Sequence, residues 1–156
     1  MRRKVKNRIQ PKADSIYNSD EVAKFINSVM KDGKKTTAAK IFYGAMEDIK
    51  RDAKVEDPME VFSKALLNVT PLVEVRPKRV AGAVYQVPIE VTPKRQVALS
   101  IRWILAGARA RKGIPMAEKL ALELLDASTE QGAAVKKKED VYKMAQANKA
   151  YAHFAK

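Results

Sequence analysis

Cysteine is absent from this chain and histidine occurs once, at His153. The first absence excludes disulfides, a thiolate zinc site and a cysteine nucleophile. The second excludes a multi-histidine metal centre. No apolar run approaches the ~20 residues that span a bilayer. The basic N-terminus has no apolar stretch behind it, so no secretory signal is expected, and the cytoplasm or an equivalent organelle interior is the expected compartment. Acid is also scarce: 18 Asp and Glu stand against 31 Lys and Arg, a formal net charge of +13. Such a surplus implies a polyanionic partner. Nucleic acid is the first choice and an anionic membrane surface the second. The few acids sit mostly at helix starts or in salt-bridge positions. They offer no nucleophile–base pair, so no catalytic residue, metal or cofactor is expected.

What is present is enough for a core. Of 156 residues, 46% are hydrophobic, an ordinary globular share, and a single domain over residues 1–156 is expected. The stretch from Val73 to Lys112 organises it. Val73 and Val75 alternate with Glu74 and Arg76, and Tyr85, Val87, Ile89 and Val91 alternate with Gln86, Pro88 and Glu90. With Gly82 between the runs, this predicts a β-hairpin arm over 72–91. Pro77 and Pro88 lack an N–H, which suits a two-stranded ribbon better than a larger sheet, and such a ribbon must lean on something. Thr92 and Pro93 then start a helix running to about Arg111. Between Arg76 and Lys112 there are nine Lys or Arg and one acid, Glu90.

The remaining elements read as helices, giving a mainly α fold: one bundle of about six helices with a protruding two-stranded hairpin. Ser19 or Asn18 caps the first helix, and Gly33 ends it. The second runs from about Thr37 to Asp52. The third opens at Asp57-Pro58-Met59-Glu60 as cap, first turn and capping box. In the fourth, Val97, Ile101, Ile104, Leu105 and Ala108 form one apolar stripe. Leu99, Trp103, Ala106 and Ala110 form a second, which predicts a helix central to its domain. The fifth runs from Pro115 to Ser128, and the last from about Ala134 to Phe154 on the domain edge.

Basic clusters recur along the chain. Met1 to Lys12, with Arg2, Arg3, Lys4, Lys6 and Arg8, reads as an extended arm that orders on a partner. Lys34 and Lys35 follow Gly33, but this is not a P-loop: Ser28 stands where the motif needs glycine, and Lys35 stands where it needs serine or threonine. The pair is either a phosphate clamp or compensation of a helix dipole. Arg95, Arg102 and Arg109 recur every seven residues as one ridge, whose stems can cover apolar surface while the guanidinium heads meet phosphate. Lys136, Lys137, Lys138, Lys143 and Lys149 keep the last helix positive. Trp103 reads as core rather than a stacking platform, and His153 as a dipole partner or polar contact. An architectural DNA-binding protein, using the ribbon in a minor groove, remains the rival reading. A pure protein-interaction module is the more distant one.

Four segments in order carry a resemblance. They are Asp32-Gly33-Lys34-Lys35 followed by Ile41-Phe42-Tyr43; Arg79-Val80-Ala81-Gly82 leading to Tyr85 through Val91; Arg102-Trp103; and Gly132 through Asp140 continued by Ala147 through His153. With them the chain resembles the bacterial-type small-subunit ribosomal protein seven family, from Pro11 to Phe154. The resemblance implies a primary binder of small-subunit ribosomal RNA that attaches to the 3′ major domain and starts assembly of the subunit head. It implies a hairpin tip, Arg79 to Gly82, directed at the transfer RNA exit site, with ribosomal proteins nine and eleven as neighbours. It also implies a contact with the protein's own messenger RNA, and no membrane. The free protein is expected to be a monomer. The family's RNA-facing places fall on Lys34, Lys35, Arg76, Lys78, Arg79, Arg95, Arg102 and Lys136 to Lys138. Arg2, Arg3, Lys4, Arg109 and Lys149 join them on charge. Two departures stand out. Ala81 precedes Gly82 where the family usually has two glycines, and Ala155-Lys156 replaces its usual terminal Arg-Trp, so no role is carried over for that pair.

Overall fold

A serine and an aspartate cap two of the α-helices in this computed structural model, which describes residues 12–155. The expected basic arm, with Arg2, Arg3 and Lys4, lies outside the described residues. Those residues fall into two compact units, one ending at Lys40 and the other beginning at Ile41.

In the first unit, helix α1 spans Asp20–Val29. Ser19 is its cap, and Asp20 and Glu21 complement the dipole in its first turn. Val22, Phe25, Ile26 and Val29 are its buried stripe, as the spacing predicts. The helix ends four residues before Gly33. Met30 turns extended, and Asp32 (φ +53°) with Gly33 (φ +73°) form the reversal. Helix α2, Lys35–Ala53, therefore starts two residues earlier than expected and takes Lys35 into its first turn.

The second unit holds the rest of α2, then α3 (Pro58–Val69), β1 (Val73–Val80), β2 (Ala83–Glu90), α4 (Pro93–Ala110), α5 (Met116–Ser128) and α6 (Gly132–Ala147). A 3-10 segment, Lys149–Ala155, closes the chain. Asp57 accepts the Met59 N–H at 2.8 Å, and Pro58 fills the first turn of α3. The helices bury Phe42, Phe62, Leu66, Ile104, Leu120 and Leu124 among their core side chains. Phe42 meets Phe62 edge-on at 5.4 Å. α5 packs on α3 and α4, and α6 packs on α4, α5 and both strands.

Two expectations are corrected. The second apolar stripe of α4 is not buried along its length: Leu99 is, Trp103 is half-buried, and Ala106 and Ala110 face solvent. One face of α4 packs, and the other is free to carry arginines. The last helix also stops early. Asn148 donates its side-chain amide to the Met144 carbonyl at 2.8 Å, satisfying an acceptor at the helix end, and the 3-10 segment follows.

The hairpin is antiparallel with Val80 opposite Ala83, so Ala81 and Gly82 alone make the turn. Their φ values are +48° and +88°. Positive φ at both central residues is what a type I′ turn requires. Glycine takes it freely, whereas Ala81 bears the Cβ penalty of a left-handed conformation. The ribbon leans on two supports. Val87 is buried where the strands meet α6, and the 3-10 segment packs along β2. Tyr85 meets Tyr151 at 4.8 Å and Phe154 at 5.6 Å, and Lys78 donates to the Phe154 carbonyl at 2.5 Å.

Candidate nucleic-acid interface

Strand alternation sorts the hairpin's charges onto two faces. Glu74, Arg76 and Lys78 lie opposite Ile89, Val87 and Tyr85, and this is the face turned toward the body. Pro77 and Arg79 lie on the other, exposed face. So β2 supplies the apolar residues of the inner face and β1 supplies its charges, the reverse of what the Val73–Val75 alternation suggests for β1. Arg79 is exposed at the base of the turn, beside half-buried Val80.

The inner charges converge on Glu74. Its side chain is 9% exposed and takes two arginines. Arg76 holds Oε1 through both Nε, at 2.6 Å, and Nη2. Arg95, from the first turn of α4, reaches Oε2 through Nε at 3.2 Å. Both arginine side chains stay open to solvent, 57% and 40% exposed. Two residues predicted from charge alone to face phosphate are thus brought together by a carboxylate that the linear count left just outside its window.

Two helices of this unit start alike but carry opposite charge. α3 and α4 both have proline in the first turn. α3 adds the acids Asp57 and Glu60, as a helix dipole favours. α4 has no acid in its first turn, and Thr92 makes no side-chain cap bond. Instead Lys94 and Arg95 stand there. Cations at a helix N-terminus oppose the dipole, and they are favourable together only when an anion joins them. In the first unit α2 has the same form: no acid in its first turn, and Lys34 and Lys35 both exposed. α1 has no base in its last turn, so compensation of that helix's dipole does not account for the pair.

Further along α4, Arg102 and Arg109 are exposed and make no ion pair with the described residues. Arg111 has a different role. It donates to Glu123 from Nε at 3.2 Å and from Nη2 at 2.8 Å, and to Asp126 at 2.5 Å. The hydrogen bond it donates to Glu123 raises its pKa above the ordinary arginine value against the opposing effect of burial. Glu123 is 1% exposed, and its other oxygen accepts the Ala134 N–H at 2.9 Å, at the start of α6. Gly107 on α4 leaves the space: a Cβ there would lie 2.7 Å from the Glu123 carboxyl carbon. The counts by linear charge missed this cluster. Its one visible signal is a glutamate set among Leu120, Ala121 and Leu124 on the inner face of α5.

On α6, Lys136 and Lys137 are exposed, whereas Lys138 is half-buried and donates to the Asn68 carbonyl at 2.6 Å. Lys149 is exposed where the 3-10 segment begins. Beside Lys138 lies a groove of about 500 Å³ between α3, β1 and α6. Exposed Leu67, Leu72 and Tyr142 line it, with Glu130 and Glu139 also on its wall. Among the described residues there is no group of acids and histidine able to hold a metal ion, and no helix is long and apolar enough to cross a membrane.

Comparison with known proteins fits this display of cations. Residues 1–149 match the family model of ribosomal protein S7p/S5e. The chain is similar to the small ribosomal subunit protein uS7 of Dictyoglomus thermophilum, 58% identical over 141 residues and covering 90% of each chain. It is 56% identical over 153 residues to that of Kosmotoga olearia, covering 98% of this chain and 97% of the other. It is 61% identical over 145 residues to that of Prosthecochloris aestuarii, covering 92% of each.

Proposed function

The chain belongs to the ribosomal protein S7p/S5e family, and from that premise we propose that it is a primary binder of ribosomal RNA that nucleates the head of the small subunit. It is a structural constituent of the small ribosomal subunit in the cytoplasm and not an enzyme. The finer reading is that it clamps the 3′ major domain, with the hairpin tip at the transfer RNA exit site. The observation that carries it is the start of α4, where Lys94 and Arg95 stand with no acid of the helix's own, Glu74 answers Arg95 alone, and Arg102 and Arg109 continue the exposed charge. This arrangement is costly without an anion and favourable with RNA phosphate. Lys34, Lys35, Arg76, Lys78, Arg79, Lys136, Lys137, Lys138 and Lys149 belong to the same proposal, with Arg2, Arg3 and Lys4 of the N-terminal arm. Structured RNA is read mainly through its backbone, shape and 2′-OH groups, and such side chains serve that mode.

Ribosomal proteins nine and eleven are proposed as neighbours, and the groove supports a protein neighbour because exposed Leu67, Leu72 and Tyr142 line it together with charges of both signs. Contacts with exit-site transfer RNA and with the protein's own messenger RNA are proposed on the family resemblance.

The test is competition binding. A labelled 3′ major domain fragment is titrated with the protein near physiological salt, against excess transfer RNA or duplex DNA. The expected result is retention of the ribosomal fragment through large excesses of both. Equal competition by duplex DNA would overturn the reading in favour of architectural DNA binding. Neutralising ~6–10 phosphates should also weaken binding by about 10³–10⁵ between 50 and 200 mM salt, and a flat salt response would exclude the clamp.

A further inference from the structure

We infer that Glu74 is a positioning residue of the RNA interface: its buried carboxylate sets the guanidinium groups of Arg76 and Arg95 in one fixed fan, joining the hairpin to the start of α4. The inference rests on the RNA-binding reading above and gives that surface its internal order. Two sequence-distant elements are involved, since Arg95 lies 21 residues from Glu74. Each arginine has five N–H donors. Arg95 spends only Nε on Glu74, and Arg76 spends Nε and one Nη2 hydrogen. Both Nη groups of Arg95 and Nη1 of Arg76 remain for a ligand, on side chains that stay about half exposed.

Stability alone is a poor account of this cluster. Ion pairs with half-exposed arginines contribute little, and sinking a carboxylate beneath them costs desolvation. Nor does the acid help a phosphate directly, since it repels one. Its value lies in fixing two long, mobile side chains before RNA arrives, so that less rotamer freedom is lost on binding. The cluster keeps a net positive charge, and its carboxylate faces the body while its donors face out.

Glu74→Gln gives the two accounts opposite signs. The substitution nearly preserves shape and adds one to the formal net charge of +13. If Glu74 acted only as a nearby negative charge, removing it would tighten RNA binding. If it positions the arginines, binding of the 3′ major domain fragment falls about tenfold. The slope of affinity against salt then stays unchanged, because the phosphate-facing cations are the same in number. Equal or tighter binding by folded Glu74→Gln overturns the inference. In an Arg76→Ala, Arg95→Ala background the same substitution should bring no further loss, and a further tenfold loss there also overturns it. If circular dichroism shows Glu74→Gln to be unfolded, Glu74→Asp replaces it, keeping every charge but shortening the reach to the two arginines. Undiminished binding by that variant overturns the inference, and a loss supports it. The two proposals fail separately. A wild-type protein that does not prefer the ribosomal fragment overturns both, whereas a selective wild type with an unweakened Glu74→Gln overturns only the role of Glu74.

Discussion

Glu74 and Glu123 are both buried, and both hold an arginine by more than one bond, yet they leave different surfaces behind. Around Glu123 the ligands close in. Arg111 is 30% exposed, Asp126 shares it, and a backbone N–H of α6 takes the other carboxylate oxygen. Nε and Nη2 of Arg111 are both engaged, and the cluster staples α4, α5 and α6. Around Glu74 two arginines share one carboxylate and keep most of their donors free. The difference lies in stoichiometry and in neighbours. Two acids and an amide around one arginine make a joint, while two arginines on one acid make a display.

Substitutions can break that contrast. The largest effect is expected at the joint. Glu123→Ala leaves the Arg111 guanidinium and the Ala134 N–H without their partner, and unfolding free energy should fall by about 3–5 kcal/mol, read by denaturant titration. RNA affinity of the folded fraction should be unchanged. Gly107→Ala attacks the same joint through space. Its Cβ would collide with the Glu123 carboxylate, and a loss of about 1–3 kcal/mol is expected, read by thermal unfolding. Glu74→Gln should cost only about 1–2 kcal/mol of stability, since its arginines remain hydrated. A loss as large as that of Glu123→Ala would make Glu74 a second joint. The smallest effect belongs to the hairpin tip. Ala81→Gly relieves a positive φ and should stabilise the protein by about 0.5–1 kcal/mol, as a small rise in melting temperature. It touches neither glutamate, so it should leave the Glu74→Gln binding defect unaltered when the two are combined.

The same contrast marks how far the sequence could be read. Local chemistry was legible: Ser19 and Asp57 as caps, Pro58 and Pro93 in first turns, Gly82 in the hairpin turn, and the two strands, though not the face that β1 turns inward. These depend on neighbours within a few residues. The ends of α1 and α6 were less legible, because Met30 and Asn148 stop helices without a glycine or proline at the boundary. The second stripe of α4 misled for a related reason: alanines on an exposed face look the same as alanines in a core. The arginines of the interface were legible as charge but not by fate. Arg95, Arg109 and Arg111 are equivalent in a linear count. Only the fold decides that Arg95 shares Glu74 with Arg76, that Arg111 is held by Glu123 and Asp126, and that Arg109 stays exposed.

The 3-10 segment at the chain end has a consequence for synthesis. Lys78 and Phe154, joined by a hydrogen bond, are 76 residues apart, and Tyr151 and Phe154 complete the aromatic contact with Tyr85. A nascent chain makes both strands and the turn well before it makes these partners. The hairpin can pair early but gains this support only when Tyr151 and Phe154 have been added. A chain truncated after Ala147 would keep its helices and lose the support along β2. The hairpin is therefore braced from a part of the sequence far from its own strands.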